Sequence, residues 1–231
     1  MGDSHDDNHL TSITAILPII IDLKTVFQYF RINSCPMKKI FTLLALMLAL
    51  QCVYAQEGEP EKVLMKPALL VIDVQKQFLP MMSKEDQDRA LEMINWSIWL
   101  FRQYGLPVIR VYHTSEKWGP KPGSPGFEFH DSLKIEQSDP KVIKTYSSAF
   151  NKTELNNLLK EKGINALFLC GLSSVGCVLA TYMDAANYDY EAFLIKDAII
   201  GHDAEYTNQV ETIFNALDLN TISYMFKIRK E

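Results

Sequence analysis

Cysteine is scarce in this sequence, and the scarcity excludes one class of fold: four cysteines in 231 residues cannot supply the disulfide framework of a small secreted domain. There is no basic excess either. Lys and Arg number 23 against 28 Asp and Glu, a formal net charge of -5, and they form no cluster, so a nucleic acid is not the expected partner. Glycine and proline, ten of each, are too few for a collagen-like or low-complexity tract. No apolar run reaches the about 20 residues that cross a bilayer; the stretch from Ile13 to Phe30 is broken by Pro18, Asp22 and Lys24. What remains is 48% hydrophobic, 11% aromatic and 22% charged, which suits one α/β domain with a leader.

The first 55 residues read differently from the rest. Met37-Lys38-Lys39 opens a positive stub, Ile40 to Leu50 is apolar, and Val53-Tyr54-Ala55 precedes Gln56 at a plausible cleavage point. This pattern predicts a signal peptide over residues 37–55 and an exported, periplasmic or secreted protein without a stable membrane anchor. Residues 1–36 do not fit such a leader and read as an extension upstream of the true start. Residues 56–66 form an acidic, turn-prone linker, and 67–231 the folded domain. Cys35 and Cys52 depart with the leader, which leaves Cys170 and Cys177.

From residue 67 onward, short apolar runs alternate with longer helical patterns. Strands are expected over 68–73, 108–113, 142–144, 166–171, 192–196 and 221–225. Helices are expected over 84–104, with Trp96 among its apolar repeat, from an Asn151 cap to Gly163, over 178–188 and over 204–217. Strands separated by helices of this length imply right-handed crossovers and a mainly parallel sheet covered on both faces. The expected fold is therefore a three-layer α/β/α sandwich on a six-stranded sheet. The Gly- and Pro-rich segment 114–127 is a long loop of the kind that covers sites.

Ligands gather at the carboxyl ends of strands in such sheets, where Asp73, Lys144 and Cys177 are expected. Each has a plain alternative: Asp73 as a turn cap, Lys144 as a solvated surface lysine, Cys177 as a small buried hydrophobe. Together they form a chemical set. A thiol at a helix start near an ammonium has its thiolate favoured by dipole and charge, and a carboxylate can take its proton.

The segments Leu70-Val71-Ile72-Asp73-Val74-Gln75-Lys76-Gln77-Phe78-Leu79, Lys144-Thr145-Tyr146-Ser147-Ser148-Ala149-Phe150 and Cys170-Gly171-Leu172-Ser173-Ser174-Val175-Gly176-Cys177 resemble three characteristic segments of isochorismatase-like hydrolases. The resemblance runs from about residue 67 to 226. It implies an Asp73, Lys144, Cys177 triad, a cis peptide between Leu172 and Ser173, and an oxyanion hole made by the amides of Ser173 and Cys177. It also implies that Phe78 and Gln75 line or buttress a pocket for a small-molecule substrate. Trp118, Phe127, Phe129 and Tyr146 suggest that the lining is partly aromatic. A homo-oligomer is expected on the same ground.

Cys177 favours the amide-cleaving branch over isochorismate hydrolysis, where the cysteine is commonly missing. Cleavage of another bond, such as a vinyl ether, and a non-catalytic binding protein or thiol sensor are the alternatives. No organic cofactor is required. Nicotinamidases carry an Asp-x-His pair as metal ligands after the second strand; here Val111 and Tyr112 precede His113, so no metal is expected. His113 and His130 then read as structural or pocket residues and His202 as a surface or capping residue. Cys170 reads as core.

Overall fold

The computed structural model describes Met47, residues 64–117 and residues 119–229. The segments expected as upstream extension and leader, apart from Met47, most of the expected linker and Trp118 lie outside the described residues. The chain divides into two units, Met1–Lys62 and Val63–Glu231, and the sheet with its covering helices belongs to the second.

Five strands make that sheet: β1 (Pro67–Ile72), β2 (Val108–His113), β3 (Lys141–Lys144), β4 (Ala166–Leu172) and β5 (Glu191–Ile200). They are parallel throughout and lie in the order β3-β2-β1-β4-β5. Continuous burial of β1, β2 and β4 fits strands covered on both faces. Alternate residues serve two cores. Leu69, Val71, Phe168 and Cys170 face one cluster with Ile94, Phe101 and Phe226, while Leu70, Ile72, Leu167 and Leu169 face the other with Leu155, Val178 and Val210. Among the described residues, five helices complete the outer layers: α1 (Lys84–Gln103), α2 (Leu155–Glu161), α3 (Leu179–Ala185), α4 (Ala204–Ile213) and α5 (Leu219–Ile228).

Several expectations need correction. The segment expected as a sixth strand, 221–225, is part of α5. Its β-branched and aromatic residues suggested extension, but Ile222 and Phe226, both 0% exposed, repeat at i, i+4. The Asp218 side chain caps the helix by accepting from the amides of Asn220 and Thr221. Asn151 is not the cap of α2. That helix begins four residues later, where the Thr153 hydroxyl accepts from the Leu155 amide at 3.2 Å. Trp96 lies off the buried stripe of α1, half exposed beside Trp99; Ala90, Ile94, Ser97, Ile98 and Phe101 form that stripe.

The order of strands places a crossover reversal between β1 and β4, since the chain runs outward from β1 to β3 before returning to β4. This topology opens a crevice at the carboxyl ends of those two strands. Gly171 makes their close approach possible: its φ is +110°, and a Cβ there would stand 2.1 Å from the Ile72 carbonyl oxygen. No other residue type fits that position without moving β1 just before Asp73.

Candidate active site

Asp73 follows β1 in a left-handed conformation, φ 53°, which turns the chain out of the sheet and buries the carboxylate; the residue is 2% exposed. Lys144 ends β3 with its side chain completely buried. Its Nζ donates to Asp73 Oδ2 at 2.7 Å, to the Tyr146 carbonyl oxygen at 3.2 Å and to His113 Nδ1 at 3.2 Å. A buried ammonium is stable only when its charge and all three of its donors are matched, and these three groups match them. Asp73 Oδ1 is buried and has no hydrogen-bond partner among the described residues. Cys177 is half-buried, and its Sγ, an Asp73 oxygen and a His113 ring nitrogen lie within 4.8 Å of one another. A carboxylate, an imidazole and a thiol thus meet at one point.

The turn from β4 to the thiol begins with a cis peptide between Leu172 and Ser173. One tight turn over Ser174–Val178 leads from it into α3. The Ser173 carbonyl accepts from the amides of Gly176 and Val178 at 3.0 and 3.2 Å. A Cβ at Gly176 would stand 2.4 Å from Ser173 Oγ, so a larger residue beside Cys177 would force the Ser173 hydroxyl to move. Behind it the hydroxyl of Ser174, fully buried, donates to Thr207 Oγ1 at 3.2 Å. Asp86 of α1 is anchored to the same place, accepting from the Gly201 amide at 2.9 Å and from Thr207 Oγ1 at 2.7 Å.

The thiol departs from expectation in one respect. Burial pushes the Cys177 pKa up to about 12 and the neighbouring Asp73 charge adds to the rise, while Lys144 opposes it. The resting group is therefore a thiol. Cys177 precedes α3 by two residues, and α3 has only seven residues, so the helix end does not offset the cost of a buried anion. Burial also raises the Asp73 pKa, against the lowering effects of Lys144.

The remaining expected site residues separate. Phe78, 6% exposed, lies edge-on to the His113 ring at 5.9 Å. Gln75 is fully buried, and both ends of its amide are used by the His113 backbone: Nε2 donates to the carbonyl at 3.0 Å and Oε1 accepts from the N–H at 2.8 Å. It buttresses β2 and presents nothing to a ligand. Tyr146 is 42% exposed, and its hydroxyl accepts from Lys152 Nζ at 3.0 Å. Phe127 and Phe129 stack on Tyr112 in the core; Phe127 is wholly enclosed, while Phe129 lines a pocket with Lys76, Tyr112 and His130. His130 pairs with Ser132 Oγ at 2.9 Å, and exposed His202 with the Met81 carbonyl at 3.0 Å. Cys170 is 0% exposed in β4. The contact from His113 to Lys144 was the part missed. Its signal was a histidine and a lysine ending two strands, which β2 and β3 hold as direct register partners.

Asp73, His113 and Cys177 are, among the described residues, those whose atoms are close enough to share a cation. The Lys144 ammonium lies among them and already supplies the positive charge, with His113 Nδ1 committed to it. The donor set therefore does not fit a metal cofactor. Thorough chelation should leave turnover unchanged, with metal content checked by elemental analysis; a stoichiometric metal whose removal abolishes activity would refute this.

Residues 67–217 match the model of the isochorismatase domain. The chain belongs to the isochorismatase family. It is 31% identical over 163 residues to the uncharacterized isochorismatase family protein YrdC of Bacillus subtilis, covering 68% of this chain and 85% of that protein. It is 32% identical over 178 residues to a probable inactive nicotinamidase of Arabidopsis thaliana, covering 67% and 88%. Among solved structures it resembles N-carbamoylsarcosine amidase from Thermoplasma acidophilum, with a TM-score of 0.58 and 27% identity over 67% of this chain and 95% of the other. Isochorismatase-family relatives thus include proteins named as amidases and one named as inactive.

Proposed function

We propose that this isochorismatase-family protein is a cysteine-dependent hydrolase that cleaves a C–N amide bond of a small molecule through a thioester on Cys177. The observation that carries the reading is the buried Asp73–Lys144 pair beside a half-buried thiol, at the strand ends where this topology gathers ligands. Amide cleavage in a relative of similar fold supports the bond type.

With the thiol protonated at rest, Cys177 Sγ attacks the carboxamide carbon as Asp73 takes its proton. A C–S bond forms, and the carbonyl π pair moves to oxygen, where the amides of Ser173 and Cys177 receive it. Collapse breaks the C–N bond, and Asp73 returns the proton to the departing nitrogen. Asp73 then accepts a proton from water as its oxygen attacks the thioester, releasing the acid and restoring the thiol. Lys144 keeps Asp73 ionised between these transfers.

Ammonia release from a panel of simple amides, ureas and nicotinamide tests the reading. At least one should yield ammonia and its acid, with loss of turnover on alkylation of Cys177. Binding without turnover across the panel would place the chain with its inactive-named relative.

A further inference from the structure

We propose that His113 is a positioning residue, which seats the Lys144 ammonium against Asp73 and is itself locked by Gln75. The proposal rests on Cys177 being the nucleophile that Asp73 and Lys144 serve.

The geometry begins with the sheet. Strand β1 leaves the ladder at Asp73, whose amide makes the last bond to β2, at the Val111 carbonyl, 2.9 Å. The backbone N–H and C=O of His113 then lack the next residue of β1, and the Gln75 amide takes its place with two hydrogen bonds. This fixes the Cα of His113, and Phe78 packs edge-on against its ring. Across the ladder, His113 is the register partner of Lys144, so the two side chains leave the sheet on the same face. Nδ1 lies 3.2 Å from Nζ.

An ammonium has three hydrogens and no acceptor, so the Nδ1 contact with Lys144 requires the neutral tautomer in which that nitrogen carries no hydrogen. Burial and the Lys144 charge lower the His113 pKa to about 4 against a hydrogen bond to the Tyr146 backbone that raises it, so the ring is neutral near pH 7. Lys144 has a four-carbon stem and no planar group to hold it. Its position is set by the groups around it: the Asp73 carboxylate, the Tyr146 carbonyl and the His113 ring, with the Cys177 sulfur also in hydrogen-bonding reach. Without the imidazole the ammonium loses one of these acceptors and shifts away from Asp73 or toward the thiol. The proposed outcome is the first, which weakens the influence that opposes the rise in the Cys177 pKa.

The test compares His113→Phe, which keeps a ring but no acceptor, with His113→Asn, whose side-chain oxygen can stand near Nδ1. Both are made in the full chain, and the readout is the rate of Cys177 carbamidomethylation by iodoacetamide at neutral pH, tracked by peptide mass spectrometry. Loss of one hydrogen bond to a charged group predicts a rate about 10- to 100-fold lower in the Phe variant. The Asn variant should recover to within about threefold of wild type. If His113→Phe does not fold, His113→Ala is compared with Asn instead. On a turned-over amide, kcat should show the same split while KM stays nearly constant. Equal rates in the two variants, or no loss in either, overturn the proposal. Because alkylation needs no substrate, this outcome is separable from the proposed function: a chain that hydrolyses no amide can still show the split, and an active amidase can lack it.

Discussion

Cys177→Ala is expected to reduce amide turnover by roughly a thousandfold or more, as loss of a covalent nucleophile does elsewhere, while Cys170→Ala keeps most of it. The two cysteines differ in surroundings. Cys170 is fully enclosed in β4, its thiol donating to the Leu70 carbonyl at 3.6 Å, and burial alone holds its pKa well above the ordinary thiol value. Replacing it leaves a small cavity and costs about 1 to 2 kcal/mol of stability. Cys177 is half-buried, within 4.8 Å of Asp73 and His113, at the mouth of the crevice. Mass spectrometry of enzyme trapped with a slow amide should find the acyl group on the Cys177 peptide. An adduct on Cys170, or wild-type turnover by Cys177→Ala, would remove the proposed mechanism.

Asp73→Asn should lower turnover by roughly a thousand- to ten-thousandfold, since an amide keeps the shape but cannot take the thiol proton. A second effect accompanies it. Lys144 is fully buried with Asp73 as its counter-charge, and stranding that ammonium costs about 3 to 5 kcal/mol of stability. The double variant Asp73→Asn/Lys144→Met removes the stranded charge, so most of the stability should return while activity does not. Thermal unfolding measured beside turnover separates the two effects. The pH profile of the wild type obeys the same logic. Asp73 must be ionised to act, and burial raises its pKa above the usual carboxylate range, so the rate falls with decreasing pH and the acid limb lies higher than for an exposed aspartate. The Cys177 pKa of about 12 puts no alkaline limb from that thiol near neutral pH. An unchanged rate in Asp73→Asn would refute the proton-acceptor role.

Strands β1, β2 and β4 were legible because full burial writes continuous apolar runs, and the positions of Asp73 and Cys177 follow from where those runs stop. Lys144 could be placed at a strand end for the same reason, although only the sheet order brings it beside Asp73. The final helix was misread because Thr221, Ile222 and Tyr224 favour extension locally, whereas the packing of Ile222 and Phe226 against Phe101 and Phe168 decides for a helix. Phe127 was expected in a pocket lining because a loop residue's neighbours are not written in its own segment; Tyr112 and the core claim it. Proximity of Lys144 to Cys177 could be inferred from sequence, but the depth of burial that raises the thiol pKa against it could not.

The strand that carries Lys144 has a neighbour on one side only among the described residues and is four residues long. Edge segments of this kind open before a domain melts as a whole. Catalytic competence and global integrity therefore have different thresholds here: a brief detachment of Lys141–Lys144 separates the ammonium from Asp73 while β1 and β4, with their cores on both faces, stay closed. Mild denaturant should silence the enzyme reversibly at concentrations where its far-ultraviolet circular dichroism is still native, and amide exchange at Val142 and Lys144 should outpace that at Leu70 and Leu169.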